Sequence, residues 1–121
     1  MKISEAIGYV KEVKPNSYSD EMILNWINEL EAKVHAEVFK ELPEGFTPYT
    51  LPEDLKTELK MPKPYDNCYV LYAEAMIDFN QGEIGTYNNT MALFTVKFND
   101  ACEYYVRRLT SENPLKIKAY L

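Results

Sequence analysis

Apolar residues recur at steps of three and four over most of the chain, which is the period of an amphipathic helix rather than a strand. Ile3, Ile7 and Val10 predict a short helix over residues 3–13, stopped by Pro15 with Asn16-Ser17 as the turn. Ile23, Trp26, Ile27, Leu30, Val34 and Val38 form one stripe over residues 19–39. Ser19 suits its N-cap, and Asp20 and Glu21 suit the first turn, where the helix dipole favours acids. Glu29 and Lys33 stand at i,i+4 and are expected to pair on the wet side.

A third helix is expected over residues 65–81, with Pro64 in its first turn and a stripe of Tyr65, Tyr69 (or Cys68), Tyr72, Ala75 (or Met76) and Phe79. Gly82 is placed for a left-handed C-cap, and the short link through Gly85 implies an antiparallel return. The longest helix is expected over residues 87–109, where Tyr87, Met91, Phe94, Phe98, Ala101 (or Cys102), Tyr105 and Leu109 make a near coiled-coil seam. Ser111 to Pro114 should end it, and the tail from Leu115 to Leu121 is apolar with two lysines, suited to extend onto a neighbour.

Between the second and third helices the pattern breaks. Pro43, Pro48, Pro52, Pro62 and Pro64 recur too often for a long helix. Phe46, Tyr49, Leu51, Leu55 and Leu59 are still apolar, so the segment is expected to pack on the core. It has room for an extended arm near Phe46–Leu51 and a short helix over Asp54–Lys60. A loop this long inside a compact domain usually has a task such as contacting a partner. The expected architecture is therefore all-α: a small single-domain helical bundle over residues 1–121, with a short N-terminal helix, three longer helices (19–39, 65–81, 87–109), a flexible or interface-forming proline-rich segment (41–63) and a tail (111–121).

Composition narrows the function. The chain has 121 residues, 46% of them hydrophobic and 26% charged, enough for one core. Thirteen basic residues against 19 acidic ones give a net charge of −6, the wrong sign for coating DNA or an anionic membrane. The charge is uneven: residues 12–58 hold eleven acids and four bases, whereas residues 97–118 hold five bases and three acids. Opposed patches on one protomer suit a head-to-tail contact that closes into a ring. The start of the chain reads as neither signal peptide nor membrane span, so an intracellular, reducing setting is expected. Cys68 and Cys102 are then expected as thiols facing each other across the core, and the Asn88-Asn89-Thr90 sequon has no consequence.

Chemistry-bearing patterns are sparse. The glycines are too scattered to cradle a phosphate, and one histidine with two cysteines does not make the usual zinc sets. His35 reads as a solvent-facing or boundary residue. Glu74 and Asp78, at i,i+4, have the spacing of paired carboxylates that serve acid–base work or hold a cation, but such pairs ordinarily sit in water at a small cost. Ten tyrosines are many for so short a chain and suit wet interfaces. Tyr104 and Tyr105 lie on adjacent helix faces, so one is expected at a subunit contact or under the middle segment. No catalytic, cofactor-binding or metal residue is assigned.

Two blocks of residues resemble a known family. Lys14-Pro15-Asn16-Ser17-Tyr18-Ser19-Asp20-Glu21 with Trp26-Ile27-Asn28-Glu29-Leu30-Glu31 resembles the start of small head-tail connector (adaptor) proteins of siphophages and prophages of Gram-positive bacteria. Pro64-Tyr65-Asp66, Tyr69, Tyr72, Ala75, Ile77-Asp78, Glu83, Tyr87-Asn88, Phe94, Phe98 and Tyr105-Val106-Arg107-Arg108 follow in the family's order. The resemblance implies a non-enzymatic virion-assembly protein without cofactors. It would form a ring beneath the portal protein, continue the DNA channel without reading sequence, and present a surface to the next neck or tail-completion protein. It would pass from host cytoplasm during assembly to the virion neck, without membrane contact. Trp26 would anchor the long helix and Tyr65, Tyr69 and Tyr72 would hold the third helix against the fourth. The family's variable working surfaces would fall on the Glu41–Lys63 segment and the Ser111–Leu121 tail. The alternatives are another phage neck or packaging-associated protein, or a free-standing helical protein-binding module.

Overall fold

The computed structural model describes residues 1–112, with side chains to residue 108. It is an all-α bundle of four helices: α1 (Ile3–Val13), α2 (Asp20–Lys33), α3 (Asn67–Asn80) and α4 (Ile84–Glu112). The tail beyond 112, which the sequence offers as an extension onto a neighbour, lies outside the described residues.

Local chemistry sets the helix ends. Ser19 caps α2 by accepting the Met22 backbone N–H at 3.1 Å. At the start of α1 the Lys2 N–H donates to Glu5 Oε1 at 2.9 Å. Gly82, at φ 77°, closes α3. Its N–H donates to Phe79 O at 3.1 Å and the next N–H, of Glu83, to Asp78 O at 2.9 Å. That pair of bonds is a Schellman cap, which needs the left-handed residue that glycine supplies without a Cβ clash. α4 starts three residues before the sequence pattern does, because this tight cap returns the chain at once.

α2 gives way to one wide turn. Over Val34–Val38 the backbone is π-helical, with the Phe39 N–H donating to Val34 O at 3.1 Å. Lys40 follows at φ 59° and ends the helical run. The 19–39 helix is thus real in extent, with its last turn widened.

α3 is the central element and packs against α1, α2 and α4. That position corrects the single stripe expected of it. Cys68, Tyr69, Ala73, Ala75, Ile77 and Asp78 are all buried, on several faces, whereas Phe79 is 50% exposed. A helix enclosed by three others buries most of its circumference, and a one-face pattern does not describe it. Pro64 also lies outside α3, in a turn where the Tyr65 N–H donates to Pro62 O at 2.9 Å. On α4 the seam holds: Phe94, Phe98 and Ala101 are buried and Tyr87, Met91, Cys102 and Tyr105 half-buried. The Leu109 side chain lies outside the described residues.

The proline-rich segment packs on the core, with Leu59 and Met61 buried. The helix expected at Asp54–Lys60 is absent. Residues 51–56 form turns, and Glu58 runs antiparallel beside Lys2. The reason is at the start of α1. Its first-turn N–H groups have no intrahelical acceptor, and the segment supplies them: Ile3 N donates to Thr57 O at 3.0 Å and Ser4 N to Leu55 O at 2.9 Å. A helical 54–60 would spend those carbonyls on itself.

Trp26 is 3% exposed and stands edge-on to Tyr18, with centroids 5.3 Å apart. Trp26→Ala should therefore lower stability by about 3–5 kcal/mol in urea denaturation followed by circular dichroism; a loss below about 0.5 kcal/mol would match a surface position instead.

Candidate functional site

Two polar clusters hold the bundle, one around Glu31 and one around Asp78, and both were only partly legible in the sequence. The first surrounds Glu31 on α2, which is fully buried. Tyr69 Oη of α3 donates to Glu31 Oε1 at 2.6 Å. Tyr49 Oη and the Lys60 backbone N–H, both from the proline-rich segment, donate to Oε2 at 2.8 and 2.9 Å. Tyr69 Oη in turn accepts the Met61 N–H at 2.9 Å. A lone buried carboxylate is strongly unfavourable, and a carboxylate holding three donors is not. Burial first, then the neighbouring Glu31 charge, pushes both phenols well above the usual tyrosine range, so they stay protonated as donors. One turn earlier on the same face, Asn28 holds the Tyr49 peptide on both sides: Tyr49 N donates to Asn28 Oδ1 at 2.9 Å and Asn28 Nδ2 to Tyr49 O at 3.0 Å.

The second place joins α1 to α3. Asp78 is 1% exposed, and Lys14 Nζ stands 2.6 Å from its Oδ1. The hydrogen bond to Asp78 raises the Lys14 pKa, against the lowering effect of burial. Glu74 is half-buried with its pKa raised, chiefly by desolvation. The expectation that Glu74 and Asp78 sit in water is thus corrected for Asp78. The i,i+4 spacing does put both acids near Lys14, just past the end of α1, but only Asp78 is paired with it.

Other sequence expectations resolve residue by residue. His35, expected to face solvent or lie at the boundary, is 7% exposed. Its Nε2 lies 3.0 Å from Leu42 O, and its ring packs near Phe46 with centroids 5.9 Å apart. The polypeptide after the π turn folds back over it, which helical periodicity does not foresee. Glu29 and Lys33 do not pair with each other. Glu29 accepts from Tyr72 Oη at 3.0 Å, while Lys33 pairs with Glu37 at 3.3 Å and lies 5.4 Å from the Phe98 ring centroid. Cys68 and Cys102 are both free thiols, Cys68 buried, its pKa pushed up to about 12 by desolvation. Tyr105 packs on Phe39 at 4.7 Å and Tyr104 on Tyr65 at 5.5 Å, so both find partners inside the chain. Tyr72 meets Phe94 at 5.5 Å, which holds α3 to α4, whereas Tyr69 ties α3 to α2 through Glu31.

Among the described residues the surface offers shallow clefts. One of about 320 Å³ is lined by Pro64, Tyr65, Lys97, Asp100, Glu103 and Arg107. Another of about 310 Å³ runs between α2 and the proline-rich segment, past Leu24, Asn25 and Thr50. On α4, Leu93 and Val96 face outward, each 60% exposed. Among the described residues, no three His, Cys, Asp or Glu side chains converge in a way that could hold a metal ion, and no helix is long and apolar enough to cross a membrane.

No protein-family model, no curated protein and no solved structure matches the chain.

Three predictions follow the chemistry of these two places. Lys14→Met strands the Asp78 carboxylate. It should cost about 2–4 kcal/mol, under the range for a fully enclosed pair because the Lys14 side chain is 27% exposed. The double variant Lys14→Met/Asp78→Leu should recover most of that loss in urea denaturation. Glu74→Gln should raise the melting temperature at pH 7, because the fold favours the uncharged acid. The gain should vanish below the ordinary carboxylate value of 4.5, where wild-type Glu74 is itself neutral. At the alkaline end, Tyr49, Tyr69 and Cys68 all have raised pKa values, and Tyr72 is pushed up to about 12. Each stabilises the fold below its unfolded pKa, about 9 for the thiol and 10 for the phenols, and that contribution drains away as pH rises toward the folded value. Melting temperature should therefore fall steeply above about pH 9–10, and Tyr49→Phe should flatten the fall.

Proposed function

We propose that this chain is a non-enzymatic virion-assembly protein, a head-tail connector that docks as a ring under a portal protein, extends the DNA channel without sequence recognition and receives the next neck protein. The observation that carries this reading is that the two blocks of family-like residues meet in the fold. Lys14 of the first block pairs with Asp78 of the second at 2.6 Å. Glu29 accepts from Tyr72 at 3.0 Å, and Glu31 from Tyr69 at 2.6 Å. These contacts give the family-like residues the scaffold role that the resemblance implies for them.

Two further features support it. The bundle is all-α, as the family resemblance implies. Its two polar clusters hold helices and the proline-rich segment together: Glu31 accepts from three donors and Asp78 pairs with Lys14. That gives both the structural role the resemblance implies. In this reading the acidic stretch over residues 12–58 and the basic stretch over residues 97–118 lie on different sides of a head-to-tail contact between copies.

The test is co-expression with a candidate portal protein, followed by negative-stain microscopy of the purified complex. A portal ring carrying an extra collar of this chain is the expected result. A bare portal, with this chain separating as a monomer, would overturn the connector assignment and favour a later neck component or a free-standing protein-binding bundle.

A further inference from the structure

We draw no further inference here: the strongest candidate, the outward stripe of α4 on which Leu93 and Val96 stand exposed, is an unpartnered apolar face and nothing in the structure shows what covers it.

Discussion

The fold turns on one buried carboxylate. Glu31 sits on α2, yet its three donors come from α3 and from two points of the proline-rich segment. Remove it and two phenols and a peptide N–H lose their acceptor, and for the buried Tyr69 hydroxyl an unsatisfied donor costs about 1–3 kcal/mol. Hydrophobic burial alone holds helices together without choosing among nearby registers. Glu31 makes that choice, because Tyr69 and Tyr49 reach it only when α3 and the segment sit in one position along α2. Asn28, one turn away, fixes the same segment through both polar groups of the Tyr49 peptide.

This explains how a chain with five prolines between residues 43 and 64 has no loose middle. The segment cannot form a helix of its own, so its backbone groups need partners elsewhere. α1 needs acceptors for its first N–H groups, and α2 offers Asn28 and Glu31. Each element satisfies what the other leaves open. The Lys14–Asp78 pair performs a parallel task at the other end of α1, where it ties the link to α2 onto the C-terminal turn of α3. Between them the two polar contacts anchor both flanks of the short N-terminal helix, whose own apolar stripe of Ile3, Ala6, Ile7 and Val10 is narrow.

The sequence made the helices legible because periodicity and capping are local. Ser19 and Gly82 act where their spacing places them, and Trp26 and the Phe94–Phe98 seam are core as the stripes imply. What it hid was set by contacts between distant residues. Glu31 follows Leu30 of the apolar stripe, and nothing in that spacing marks it as buried, since its donors are 18 to 38 positions away. Its neighbour on the helix, Asn28, carries no periodic signal at all. Phe79 fits a stripe but lies at the end of α3 where the bundle opens, beside Tyr87 at 5.2 Å. The burial of Asp78 is hidden for the same reason: a polar residue at a helix face is assigned to water unless the partner that meets it is known. The one available cue was the crowding of tyrosines, each bringing a hydroxyl that must find an acceptor when buried.

The same logic bears on the connector reading. An adaptor ring has to present an identical shape from every copy, so a protomer whose core admits alternative registers would be poorly suited to it. Directional polar contacts in the interior remove that freedom at some expense in stability relative to a purely apolar core. Glu31 and Asp78 are then best understood as devices of geometric definition. They fix where α3 and the proline-rich segment lie against α2, and through Tyr72–Phe94 and Tyr65–Tyr104 they fix the line of α4. The surfaces that would meet a portal or a neighbouring copy are carried on that frame, and their spacing is inherited from bonds that no partner touches.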